Sequence, residues 1–233
     1  MKAALIAATV ILVPGLALAG EGPAPRERQI VPVLAARPGE TVPAVAGSAE
    51  VRPVPFDPVA GFKARPAPLV ADPNALYSNI SSFFIFYFTY PGGATNVSGN
   101  TVTKLVADDL TLTASPPSPG AKLRYIRFYV HNNDALSDIT ARPLVSIYLD
   151  KPGAPGSFLA SYVVSPVVFG KGGLDLVTVT LAPLFAPIFP GGTKLWLSVT
   201  FDDSNGTTGA SAAQLNELGL PSMTGPEVGS SAD

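Results

Sequence analysis

Residues 123–132 read LRYIRFYVHN. Within this stretch Ile126, Phe128 and Val130 alternate with Tyr125, Arg127, Tyr129 and His131. A repeat of two belongs to a strand with one face buried, because successive side chains of a strand leave it on opposite sides. The pattern recurs in VSIYLD (145–150), where Val145, Ile147 and Leu149 oppose Ser146, Tyr148 and Asp150. It recurs again in KLWLSVTF (194–201), where Leu195, Leu197, Val199 and Phe201 oppose Lys194, Trp196, Ser198 and Thr200. Working outward, β-rich runs lie near 77–90, 102–114, 122–132, 143–150, 157–169, 173–181 and 193–201. Turn-forming segments separate them: PGGATNVSGN, SPPSPG, NNDALSD, KPGAPGS, GKGG and PGG. No long stretch repeats with a helical period. Short strands in this number and spacing, over roughly 150 residues, predict an all-β domain, an antiparallel sandwich or jelly roll with one core.

The run FFIFYFTY (83–90) is the densest apolar feature, in a chain only 9% aromatic. Period two places Phe84, Phe86, Phe88 and Tyr90 on one face and Phe83, Ile85, Tyr87 and Thr89 on the other. Neither face suits water, so the expectation is a strand buried on both sides, a core element rather than an aromatic ligand box.

The chain opens MKAALIAATVILVPGLALAG: one cation, Lys2, then an uncharged apolar stretch closing on Ala17-Leu18-Ala19. This is the form of a secretory signal peptide over 1–19, with no membrane span once it is removed. A retained anchor is the alternative, although Pro14-Gly15 interrupts the stretch and its length falls short of the about 20 residues a span needs. Removing 19 of 233 residues leaves 214, with a formal charge of 14 − 17 = −3. There is no cysteine, which excludes disulfides, thiolate catalysis, thiolate metal sites and a lipidated thiol. From Gly20 to Pro73 the chain carries eleven prolines, each without a backbone donor. An extended, disordered Pro-rich linker is expected over 20–75, followed by the β-sandwich domain over 76–233. The closing GLPSMTGPEVGSSAD is expected neither to end a strand nor to cap one, and truncation of a longer chain is one reading of it that the sequence leaves open.

Five segments together carry a resemblance: LYSN (76–79), GNTVTKLVADDLTLTA (99–114), LRYIRFYVHN, RPLVSIYLDKPGAPGSFLASY (142–162) and PGGTKLWLSVTFDD (190–203). Over about 75–205 the chain resembles a β-sandwich domain of bacterial exported proteins of the PEP-CTERM or choice-of-anchor kind, without the sorting tail itself. The resemblance implies an exported sandwich and brings no catalytic residues with it.

Little in the sequence speaks for catalysis. The single histidine, His131, has no cysteine partner, and no Gly-x-Ser-x-Gly elbow, HExxH, phosphate loop or dinucleotide fingerprint occurs. Asp108 and Asp109 are adjacent in a strand and point to opposite faces. The chain is therefore read as no enzyme, with a carbohydrate-active enzyme on a jelly-roll scaffold as the alternative. Asp202, Asp203 and Asn205 offer hard oxygen donors of the type calcium takes, but without the full spacing of a calcium loop. An Asx-type turn is the preferred reading, so no cofactor is expected. Asp134 and Asp138, beside Asn132 and Asn133, have the same two readings. Three sequons, at Asn79, Asn96 and Asn205, would matter only in a glycosylating host. No nucleic-acid partner is expected.

The remaining signal is aromatic. If the aliphatic sets face the core, Tyr125, Tyr129, Tyr148 and Trp196 point outward with Arg127 among them, and rings beside hydrogen-bonding groups suit the apolar face of a sugar. Cross-strand aromatic pairing, or cover by the linker, would explain the same residues. The expectation is a non-catalytic module, secreted or at the cell surface, that touches polysaccharide or extracellular matrix weakly. A purely structural surface protein is a third reading.

Overall fold

The computed structural model describes residues 29–36, 45–54, 75, 77, 88–89, 107–113, 120–152, 154–184, 186–202 and 210–221, with the backbone alone for 29–36, 45–47, 88–89, 202 and 212. The strands in chain order are β1 (Gln29–Ala36), β2 (Val45–Val54), β3 (Phe88–Thr89), β4 (Ala107–Thr111), β5 (Ala121–Lys122), β6 (Tyr125–Asn132) and β7 (Ile139–Lys151). They continue with β8 (Ala154–Val164), β9 (Val167–Phe169), β10 (Leu174–Leu181), β11 (Ile188–Phe189) and β12 (Lys194–Asp202). A single-turn helix, α1 (Ala212–Leu215), precedes β13 (Leu218–Pro221), so that Gly219-Leu220-Pro221, expected to end no strand, ends one.

All the pairings are antiparallel. The main sheet runs β3-β13-β6-β10-β2-β1-β8-β7-β12-β4, β9 adds to β7, and β5 pairs with β11 in a small separate ladder. Registers keep the period-two sets together: Ile126 lies beside Val179 and Phe128 beside Val177, while Val179 and Val177 lie beside Ala49 and Val51. Val145, Ile147, Tyr162, Val164, Leu195, Val199 and Phe201, from β7, β8 and β12, belong to the same buried cluster as Ile126, Val130, Val177, Val179, Ala49 and Val51. The inward faces of the two halves thus enclose one core, an arrangement compatible with a β-sandwich. Leu215 of α1 is fully buried in it. Each Val or Leu so buried contributes about 1.5–3 kcal/mol.

The segment expected to be a free spacer is not free between 29 and 54. β1 and β2 form a hairpin in the middle of the sheet, β2 against β10 and β1 against β8. Prolines tolerate this because each sits where one ladder is missing. Pro32 lies just before the β8 ladder begins at Val33, and Pro53 lies beyond the last β1 partner of β2, at Val51. Pro143 likewise separates the part of β7 that pairs with β9 from the part that pairs with β8.

The outer faces are not uniformly wet, which corrects the reading of Tyr129. It is only 4% exposed. Its register partner is Leu176, and the next pair along is His131 with Leu174; all of these are buried. On the other half Leu144 and Val163, also partners on the outer face, are buried too. At this end the sheet is covered on both sides, so alternation of polarity stops reporting exposure. Leu149 departs the other way: expected in the core, it is 41% exposed. Register breaks between β7 and β8 on either side of Tyr148 carry the end of β7 off the core. Of the aromatic run, only the backbone of Phe88 and Thr89 is described, paired with Pro221 and Leu220; the expected burial of Phe84, Phe86 and Phe88 lies outside the described residues.

Candidate functional site

The turn Pro190-Gly191-Gly192 sets the start of β12. Gly192 adopts a φ of 72°, a left-handed conformation that favours glycine. Its N–H points to the carbonyls of Leu112 and Thr113 (3.2 and 3.3 Å), and Leu112 donates to the Thr193 carbonyl at 2.9 Å. The Thr193 hydroxyl closes the turn on the Pro190 carbonyl at 2.6 Å. These bonds fix the register with β4, so that Lys194 lies beside Thr111 and Trp196 beside Asp109.

Three rows of side chains then cross the outer face of β4, β12, β7 and β8. The middle row is Asp109, Trp196, Tyr148 and Phe158. Trp196 is half-buried and lies on the face opposite Leu195 and Val199, which are in the core. Its indole N–H donates to Asp150 Oδ1 at 2.8 Å. Tyr148 and Phe158 meet edge to face, ring centroids 5.7 Å apart at 73°. Beside this row, Lys194 Nζ lies 3.0 Å from Asp109 Oδ2 and 3.9 Å from Asp150 Oδ1. The hydrogen bond to Asp109, followed by the charges of both carboxylates, raises the Lys194 ammonium above its ordinary pKa. Burial raises that of the Tyr148 phenol. On the other side of the row Ser198, Ser146 and Ser161 line up. Ser146 and Ser161 share a hydrogen bond of 2.7 Å, whereas the Ser198 hydroxyl, in a residue 1% exposed, is buried without a partner.

The five expected contact residues therefore do not converge. Trp196 and Tyr148 are register neighbours. Tyr125 and Arg127 lie together on β6, with the guanidinium 4.6 Å above the tyrosine ring, and five strands separate β6 from β12 in the sheet order. Tyr129 belongs to the buried layer. The residues that sequence reasoning passed over are Lys194, Asp109, Asp150 and Phe158, which surround Trp196 only through strand register.

The loop after β6 satisfies itself. Asp134 Oδ1 accepts the N–H groups of Leu136 and Ser137 at 2.8 and 3.1 Å, bonds that hold its carboxyl below the usual range, the Leu136 bond foremost. Asn132 Oδ1 accepts the Asp134 N–H, Asp138 accepts that of Lys171, and Asn133 donates to Glu217. These are turn and loop-fixing roles. Among the described residues no group of three or more His, Cys, Asp or Glu side chains is placed to hold a metal. The Asp202 side chain, Asp203 and Asn205 lie outside the described residues. No described helix is long and apolar enough to cross a membrane. Comparison with known proteins finds no family model, curated protein or solved structure that matches the chain.

Proposed function

We propose that the chain is a non-catalytic exported module that makes weak contact with polysaccharide through the outer face of β12 and β7. The observation that supports this is the lateral pairing of Trp196 with Tyr148, flanked by Asp109, Lys194 and Asp150. Half-buried rings beside fixed hydrogen-bonding groups match the two sides of a sugar, an apolar ring face and a rim of hydroxyls. A stacked ring is worth about 0.5–1.5 kcal/mol by analogy with aromatic pairs, so one site binds weakly and acts through several copies. Export rests on the leader MKAALIAATVILVPGLALAG, and the exported sandwich on the resemblance over 75–205. The test is retention of the mature protein on a panel of immobilised polysaccharides, with Trp196→Ala expected to weaken retention while the melting temperature stays within a few degrees.

One observation favours a purely structural surface protein instead. The indole N–H and the Lys194 ammonium are both engaged within the protein, as they would be in a network that only pins β12 to β7 and β4. In that case Trp196→Ala lowers stability and changes retention on no polysaccharide.

A further inference from the structure

Resting on the glycan reading above, we infer that the face takes single chains of an uncharged, hydroxyl-rich polysaccharide, and neither an anionic polymer nor a crystalline polysaccharide surface. The first ground is charge. The ionised groups beside Trp196 on this face are Lys194, Asp109 and Asp150, a balance of 1 − 2 = −1. The cation is already held between the two carboxylates, at 3.0 and 3.9 Å. An acidic polysaccharide would bring further negative charge to two fixed anions and find the neighbouring ammonium spent on internal partners. The other charges on the contributing strands do not change this. Asp108 is exposed on the opposite side of β4, Lys151 is exposed at the tip of β7, and Arg142 stands at the far end of β7 beside Asp202. Carboxylate oxygens, by contrast, are acceptors only, and a neutral sugar hydroxyl is a donor suited to Asp150, the partly exposed one of the two, Asp109 being buried.

The second ground is ring geometry. A crystalline surface is bound by rings lying in one plane, so that each stacks on a neighbouring chain of the same sheet of sugar. Tyr148 and Phe158 are inclined at 73° to each other, and no common plane contains both. From β12 to β8 the row crosses two strand spacings, about 10 Å, which is the length of a short stretch of one chain.

The experiment is affinity electrophoresis of the mature protein through gels holding a soluble neutral glucan or soluble alginate at low salt, together with co-sedimentation with crystalline cellulose. The expected result is retardation by the neutral glucan alone, two- to tenfold weaker for Trp196→Ala. Trp196→Phe, which keeps a ring without the N–H, retains most of it and guards against a folding defect in the alanine variant. Stronger retardation by alginate, or co-sedimentation with cellulose, that is lost in Trp196→Ala overturns the inference while leaving a glycan site at this face. No retention in any arm overturns the glycan reading itself, and the inference with it.

Discussion

Phe169 and Phe201 meet edge to face in the core, ring centroids 5.9 Å apart at 80°, and both are fully buried. The contact joins the short strand β9 to the end of β12 through the interior, although each pairs separately with β7. Phe201→Ala is expected to cost about 3–5 kcal/mol, as other deletions of buried rings do. Urea unfolding measures this; a loss below about 1 kcal/mol would mean the cavity collapses freely and the ring pair does not organise the core.

Val51 tests whether the proline-rich segment belongs to the fold. It is fully buried in β2, beside Val177 of β10. Val51→Asp places an unpaired carboxylate in the core and is expected to abolish cooperative thermal unfolding. An unchanged melting curve would return residues 29–54 to the role of a spacer.

The serine row makes a prediction of opposite sign for two neighbours. Ser198 holds a buried hydroxyl without a partner, so Ser198→Ala is expected to leave stability unchanged or raise it by about 1 kcal/mol. Ser146→Ala removes the 2.7 Å bond to Ser161 and is expected to cost about 1–2 kcal/mol. Equal losses in the two variants, measured by denaturant midpoint, would show that Ser198 is bonded in solution.

His131 sets an acid limit. Burial lowers its pKa from 6.5 to about 4. Between those values the unfolded chain holds a proton that the native state refuses, so stability is intact above pH 6.5 and falls as the pH drops towards 4. The full loss is about 3 kcal/mol. Asp134, whose carboxyl is held low by backbone N–H groups, adds a further loss only at more acid pH, as it protonates. Melting temperatures from pH 7 to pH 4 should fall in the wild type, with a clearly shallower slope in His131→Phe. Identical slopes would mean that His131 titrates normally in the native protein.

Strands are legible in the sequence from their β-rich composition and bounding turns, and alternation reports exposure only at the end of the sheet where the outer face is open; at the other end Leu174, Leu176, Ser198 and Thr200 are buried on the outer face. β6 and β10 fall within the β-rich runs and β12 does so up to its last residue, Asp202, and in β6 alternation reports exposure as far as Phe128. Beyond that point Tyr129 and His131 are buried opposite Leu176 and Leu174, because something other than their own strand determines what covers them. β1 and β2 are hidden in the sequence by their prolines, because a proline removes a donor but costs a strand only where a ladder asks for one, and Pro32 and Pro53 sit where none is asked for on one side. The aromatic neighbours were half legible. Alternation put Tyr148 and Trp196 on the faces away from their aliphatic sets, but only register places them side by side and sends Tyr125 and Arg127 elsewhere. Asp109 and Lys194 carry no local signal at all, since their meeting depends on the turn at Gly192.

The central place of the β1–β2 hairpin governs the order in which the chain can fold. Val51 pairs with Val177, a separation of 177 − 51 = 126 residues, and Val33 pairs with Val164. The first strands made by the ribosome must therefore wait for strands made near the end, and pairings this distant in sequence form slowly. Until β8 and β10 have been synthesised the hairpin has only itself to pair with, and an isolated two-stranded hairpin is marginal in water. The β1–β2 hairpin thus lacks its native neighbours until Val164 and Leu181 have been added. On the proposed reading of residues 1–19 as an export leader that delay is useful, because a chain that cannot close its sheet early remains threadable through a translocation pore.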